Sequence, residues 1–203
     1  LVGCRVPNHP IANKLLQSIN FPLAAPSANI ANKISSTHLN HLTEELKNEA
    51  YMLDDGGSTL GLESTVIKTN EDNINILRLG SITLENLKNK FPQNKITINN
   101  YSSKISPGNQ KKHYAPNHPI RLNASKVKDN ESLLNFGKNN LKSKICEYNL
   151  SLNGDLNEAG KNFFNFLYLI DKSDCSAIAV ANIPNYDLGK TINDRLKRAA
   201  SNA

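Results

Sequence analysis

The sequence of 203 residues has few of the features that mark secreted, membrane-spanning or zinc-binding proteins. Its three cysteines, Cys4, Cys146 and Cys175, are far apart and odd in number, so neither a disulfide framework nor a CxxC zinc site is indicated. No stretch approaches the roughly 20 apolar residues of a membrane-spanning helix, and no signal-peptide pattern is present. We therefore expect a cytoplasmic protein with no membrane partner.

Two common ways of holding phosphates or metals are also missing from the sequence. There is no Gly-rich loop of the Walker type. His38 and His41 face one side of a predicted helix but lack a third ligand, so we interpret them as surface residues and predict no metal site. Any phosphate group would have to be bound by hydroxyls and arginines instead.

The charge balance is basic, with a formal net charge of +6 and a pI near 9.2. This fits a phosphate-rich ligand or RNA. It fits a general lysine bias equally well, because no dense basic run appears.

Hydrophobic periodicity predicts an α/β protein in two parts joined by a linker. In the first part, residues 1–92, we predict strands over 1–6, 21–25, 51–53, 64–68 and 75–79. We predict helices over 9–19, over 38–49 with Thr37 as cap, and from Thr83 to a point before Pro92. Residues 93–118 are polar and proline-rich, which is typical of a linker. In residues 119–203 we predict short strands or helix edges at 120–122, 132–136 and 144–148, a buried strand over 176–181, and helices over 155–170 and 191–200.

Small hydroxyl and amide side chains lie at the ends of the predicted strands. Ser27 and Asn29 follow an apolar strand, where open α/β sheets place ligands, although a simple turn would look the same. Ser35 precedes a predicted helix, whose N-terminus attracts anions, although the Ser-Ser-Thr run also suits plain capping. Glu63 could receive an ammonium group and Ser64 a carboxylate or hydroxyl, unless the segment is an ordinary hairpin entry.

Two arginines and one tyrosine complete the candidate residues. Arg5 and Arg78 lie in apolar strand-like segments and need an anionic partner, either a ligand or a structural ion pair with Glu63 or Asp55. Tyr114 lies in the predicted linker, where it could close over a nucleotide as a lid or make a packing contact.

Taken together, these motifs resemble the L-threonylcarbamoyladenylate synthase family, the YrdC-like enzymes in their long two-domain form. The motifs that carry the resemblance follow the family pattern in order: Arg5-Val-Pro, Pro-Ser-Ala-Asn at 26–29, Ser35-Ser-Thr, Asp55-Gly-Gly, Glu63-Ser-Thr-Val, Leu77-Arg-Leu-Gly, Ser106-Pro-Gly with His113-Tyr-Ala-Pro, and Asn193-Asp-Arg-Leu. The resemblance implies a partial YrdC-like twisted open sheet with helices, a linker, and a small Rossmann-like parallel α/β domain.

The resemblance also implies a reaction and a set of ligands. The family joins L-threonine, bicarbonate or CO2, and ATP into threonylcarbamoyl-AMP and pyrophosphate, for threonylcarbamoyladenosine formation in tRNA by downstream transferase proteins. Matching positions would place Ser27, Asn29, Ser35, Arg78 and Tyr114 against ATP, and Arg5, Ala25 and Ser64 against threonine. Mg²⁺ is implied for the triphosphate, and no dedicated catalytic nucleophile is needed.

The sequence lacks the family's N-terminal Lys-x-Arg element and part of its threonine pocket. We expect either a remnant or the C-terminal part of a gene whose first part is separate. The main alternative is a non-catalytic module that binds double-stranded RNA or tRNA, since related domains have a positive concave face. A generic Rossmann nucleotide-binding domain would account only for residues 120–200 and lacks the glycine fingerprint.

Overall fold

The computed structural model describes residues 2–98 and 113–201. The motif Ser106-Pro-Gly and the run Asn109–Lys112 lie outside the described residues, as does Leu1. Among the described residues, no helix combines the length and apolar character that a membrane crossing requires.

The first 60 residues contain helices but no paired strand among the described residues. Helix α1 spans Pro10–Gln17, where His9 caps the first turn by accepting a hydrogen bond from the Ala12 amide. The segments 2–6, 21–25 and 51–53, which we predicted as strands, have no strand structure. Their apolar side chains are exposed, with Val6 91% and Phe21 59% accessible, because no neighbouring described strand covers them.

The helix predicted over 38–49 is split in two. A 3₁₀ turn spans Leu39–His41, and helix α2 spans Glu44–Glu49. Thr43, rather than Thr37, caps α2, since its hydroxyl accepts from the Leu46 amide. Both the Thr37 amide and its hydroxyl instead lie within hydrogen-bond distance of the His41 Nδ1 atom.

The middle of the chain forms a three-stranded sheet in the order β1-β2-β3. Strands β1 (Val66–Asn70) and β2 (Asn73–Arg78) form an antiparallel hairpin, and both overlap the strands predicted over 64–68 and 75–79. Helix α3 (Leu84–Lys90) then crosses to β3 (Lys95–Ile98), which pairs parallel with β2. Thr83 begins α3 through a reciprocal capping box with Asn86. Strand β3 lies inside the stretch that we predicted as a linker.

The second part is a small parallel α/β unit, as predicted. Its four strands are β4 (Ile120–Arg121), β5 (Glu131–Asn135), β6 (Glu147–Asn149) and β7 (Ala177–Val180), in the spatial order β4-β7-β5-β6. All neighbouring pairs are parallel. Helix α4 spans Leu156–Ile170 and helix α5 spans Leu188–Ala200.

The main hydrophobic core lies between this sheet and the two helices. Leu134, Ile178 and Val180 face α4 and α5, whereas the alternate residues Leu133 and Ala179 pack on the opposite face. Three residues from outside the second unit also belong to this core: Ile34, Leu62 and Tyr114. Segments that carry the candidate motifs are therefore anchored in the second unit.

Candidate functional site

Glu63 is the centre of the candidate site. It lies in the loop that follows Gly61 and enters β1, and its two carboxylate oxygens have different partners. The Ser35 hydroxyl donates to Oε1 at 2.9 Å, and the Arg195 Nε donates to Oε2 at 3.0 Å. The loop is held at close range on both sides: a Cβ atom on Gly61 would lie 2.3 Å from the Gly160 carbonyl oxygen, and one on Gly80 would lie 2.4 Å from that of Glu63.

Arg195 was not among the predicted site residues. It lies on α5, its side chain is fully buried, and it donates further hydrogen bonds to the Leu79 carbonyl and to Asp194. Its guanidinium carbon is 5.1 Å from the centre of the Tyr114 ring. One signal in the sequence could have revealed it, because Arg195 lies on the apolar stripe of α5, between Ile192 and Ala199.

Ser64 brings the two predicted arginines together. The Arg78 guanidinium donates to the Ser64 carbonyl through Nη2 at 2.8 Å and Nε at 3.3 Å. The Arg5 Nη1 lies 3.5 Å from the Ser64 hydroxyl. Residues that are far apart in the sequence thus meet at the entry to β1. Asp55, the other candidate partner, lies beside His9, 3.4 Å from its Nε2 atom.

Tyr114 closes one side of this group. The residue is only 1% exposed, adopts φ = +63°, and packs against Phe164 of α4 with ring centres 5.4 Å apart. Its hydroxyl is buried close to Glu63 without a well-formed hydrogen bond to any described residue. The next residue, Ala115, donates its amide to the Asn32 carbonyl at 2.9 Å, which ties this segment to the loop before Ser35. We call the following residues together the Glu63 site: Arg5, Ser35, Glu63, Ser64, Arg78, Tyr114 and Arg195.

The electrostatics of the Glu63 site favour an ionised carboxylate among excess positive charge. Burial alone would raise the pKa of Glu63, but the charge and hydrogen bond of Arg195 outweigh it and hold the pKa below its ordinary value. Burial lowers the pKa of Arg78 and raises the pKa of Tyr114 to about 12, so this hydroxyl stays protonated at neutral pH. Such a site can bind an anion through Arg78 and Arg5 and offer the Tyr114 hydroxyl for a hydrogen bond.

Ser27 and Asn29 lie in a neighbouring cavity of about 410 Å³. It runs between the first part of the chain and α4, and we call it the Ser27 cavity; its lining includes Ser27, Asn29, Lys33, Ser36, His41, Tyr168 and Asp171. The Asn29 side chain donates to the carbonyls of Ile30 and Lys33, so part of its role is to shape this turn. Ala25 is exposed, two residues before Ser27.

The Ser27 cavity and the Glu63 site are connected through adjacent residues. Ser35 binds Glu63, whereas the next residue, Ser36, lines the cavity and donates its hydroxyl to the Ala28 carbonyl. In the cavity wall, the His41 and Tyr168 rings are stacked with centres 3.9 Å apart. Burial, followed by the charge of His38, lowers the pKa of His41 to about 4, so this ring is neutral at pH 7.

Two family models match the chain. One, described as the C-terminal domain of threonylcarbamoyl-AMP synthase, matches residues 82–201, which is more than half of the sequence. The chain belongs to this family. The second model, described as "Telomere recombination", matches residues 1–80. The two matched ranges meet just before α3. Our domain end at residue 92 stays a prediction.

Curated proteins similar to this chain agree with this assignment. The chain is 29% identical to the threonylcarbamoyl-AMP synthase of Pyrococcus abyssi, over 98% of this chain and 64% of that protein. It is 28% identical to the threonylcarbamoyl-AMP synthase of Bacillus subtilis, over 98% of this chain and 63% of that protein. The family resemblance that the motifs carried is confirmed.

A solved structure confirms the fold class. The crystal structure of P. abyssi Sua5 complexed with L-threonine superposes with a TM-score of 0.80 at 25% identity, covering 97% of this chain and 63% of that one. This chain spans less than two thirds of the length of each of these relatives.

Proposed function

We propose that this chain is part of an L-threonylcarbamoyladenylate synthase, which converts L-threonine, bicarbonate or CO2, and ATP into threonylcarbamoyl-AMP and pyrophosphate. The observation that carries the proposal is the Glu63 site itself. Arg5, Ser35, Ser64, Arg78 and Tyr114 come from five separate segments, and the contacts through Ser64, Glu63 and Arg195 bring them into one group.

The proposed ligand roles follow the family pattern. Arg5, Ala25 and Ser64 would bind threonine, with the Arg5 guanidinium and the Ser64 hydroxyl suited to its carboxylate. Ser35, Arg78 and Tyr114 would bind ATP at the Glu63 site, and Ser27 and Asn29 would bind it in the adjoining Ser27 cavity. The adjacency of Ser35 and Ser36 supports one extended ligand that reaches both places.

This arrangement suits the chemistry of adenylation. A threonine carbamate would attack the α-phosphorus of ATP and displace pyrophosphate, a reaction that needs positioning and charge stabilisation more than a protein nucleophile. The described residues contain no group of three or more His, Cys, Asp or Glu side chains that could hold a metal ion. We therefore propose that Mg²⁺ enters with the triphosphate, and no step depends on a protein metal site.

The remaining proposed partners depend on the same assignment. The product would pass to transferase proteins that modify tRNA in the cytoplasm. The alternative, a module that binds double-stranded RNA or tRNA without catalysis, is supported only by the net charge of +6. It requires an RNA affinity that falls steeply with salt concentration.

The decisive assay is pyrophosphate release that requires both threonine and bicarbonate. It would use the full chain, alone and mixed with the portion of the P. abyssi relative that this chain does not span. Replacing Arg78 by Met removes charge-assisted hydrogen bonds worth about 1.5–3 kcal/mol, so we expect the rate to fall roughly 10- to 100-fold. The control Ser176→Ala changes an exposed hydroxyl bonded to the Asn130 carbonyl and should leave the rate unchanged. No release from the mixture would refute the proposal.

A further inference from the structure

We propose that Arg195 is a positioning residue through which the second α/β unit holds the candidate site in its binding geometry. This inference rests on the proposed function for the ligands of the site. Its geometric part, that Arg195 fixes Glu63 and the Tyr114 segment, stands on the contacts alone.

Arg195 uses its whole guanidinium group at the boundary between the two parts of the chain. Nε binds the Glu63 carboxylate, Nη2 binds the Leu79 carbonyl, and Nη1 binds Asp194 on its own helix. Asp194 is in turn held by Arg198 at 3.1 Å. The fork of Arg195 therefore ties the loop before β1 to the end of β2, and it is itself oriented from within α5.

Arg195 is also the cation that bonds directly to the Glu63 carboxylate, with its Nε atom 3.0 Å from Oε2. The neutral Ser35 hydroxyl donates to the other carboxylate oxygen of Glu63, and the Arg78 charge acts on Glu63 without a direct bond among the described contacts. A buried carboxylate without a cation would either take up a proton or turn toward solvent. In both cases the Ser35 hydroxyl would lose the acceptor that orients it.

Other contacts also join α5 to the segment that follows β2. The Thr191 hydroxyl donates to the Gly80 carbonyl at 3.1 Å, and Lys190 pairs with Glu85 at 2.8 Å. The Lys190 pair lies at the half-exposed rim of this contact, whereas Arg195 is fully buried, reaches the site carboxylate and lies over the Tyr114 ring. The position of Arg195 is thus directed at the site rather than at docking in general.

Hydrogen exchange tests the geometric part without any ligand. In Arg195→Met we expect amide exchange in residues 33–37, 61–66 and 113–116 to accelerate at least 10-fold. Exchange in β5 and β7 should stay within about 2-fold of wild type, since these strands are held by the core rather than by this charge. The matched control, Lys190→Met, removes the ion pair between α5 and Glu85 and should leave the site segments unchanged. Unchanged exchange at the site in Arg195→Met would overturn the inference.

Ligand binding tests the functional part by calorimetry with L-threonine and ATP as probes. Arg195→Met and Glu63→Gln should each weaken binding at least 10-fold, and the double variant should be no worse than either alone. Arg195 supplies the charge and the hydrogen bond that hold the pKa of Glu63 below its ordinary value, so the pH dependence of binding should move to higher pH in Arg195→Met than in wild type. Arg195→Lys should restore part of the affinity by restoring the charge.

The two proposals fail in distinguishable ways. If wild type binds neither ligand, even when mixed with the portion of the P. abyssi relative that this chain does not span, the proposed function fails. The exchange result still decides the positioning role in that case. If wild type binds both ligands and the Arg195 variants bind them equally well, the positioning role fails alone. Should Arg195→Met not fold, the isosteric Glu63→Gln carries both measurements, because it removes the same ion pair with little change in volume.

Discussion

The packing of the Gly61 loop against α4 gives a sharp prediction for a single methyl group. Gly61 has φ = +68°, and a Cβ atom there would lie 2.3 Å from the carbonyl oxygens of both Gly160 and Lys161. A left-handed conformation costs a non-glycine residue about 1–2 kcal/mol. Overpacking against a backbone that cannot move away costs about 1–3 kcal/mol more. We therefore expect Gly61→Ala to lower the free energy of unfolding by about 2–5 kcal/mol.

Gly137 supplies a matched control for this variant. Its φ is +69°, but a Cβ atom there would have no neighbour within 4 Å. Gly137→Ala should cost only the conformational part, about 1–2 kcal/mol. Urea unfolding of the two variants, followed by circular dichroism, measures the difference. An equal loss of stability in both would refute the close docking of the Glu63 loop on the second unit.

Three other predictions concern residues around the site. Thr191→Val leaves the buried Gly80 carbonyl without its donor and should cost about 1–2 kcal/mol in urea unfolding, whereas Thr191→Ser should cost less than half as much. Tyr114→Phe removes a buried hydroxyl that lies near Glu63 without a well-formed hydrogen bond, so stability should change by under about 0.5 kcal/mol, while calorimetry should show at least 5-fold weaker ATP binding. His41 is neutral when folded and protonates near pH 6.5 when unfolded, so its contribution to stability is complete above pH 6.5 and is lost as pH falls toward 4. His41→Phe, which keeps a ring against Tyr168, should remove this slope of at most about 1 kcal/mol per pH unit from the unfolding free energy, and an unchanged slope would contradict the burial of His41.

Local signals predicted the elements that depend on local sequence. The apolar stripe of α4, the continuous apolar run of β7 and the Thr83 cap of α3 were all predicted, because periodicity and capping are properties of neighbouring residues. The segments 2–6 and 21–25 carry strand-like composition, but a strand also needs a partner. None of the described residues pairs with them.

Tertiary contacts set the limit for predicting the site. Ser64 and Arg78 could be singled out because polar residues at the edges of apolar segments stand out in a sequence. Arg195 could not be assigned to Glu63, since the two are 132 residues apart and meet only when α5 docks. Strand β3 was missed because its alternating polar residues lie in a stretch whose composition is that of a linker.

A crystal structure with both ligands bound tests the central claim most directly. The crystals would contain the full chain, the portion of the P. abyssi relative that this chain does not span, L-threonine and a non-hydrolysable ATP analogue. We expect the threonine carboxylate to lie beside Arg5 and Ser64. The triphosphate should lie beside Arg78 and Ser35, with the rest of the nucleotide extending toward Ser27. Electron density for either ligand elsewhere on the molecule, with the Glu63 site empty, would contradict it.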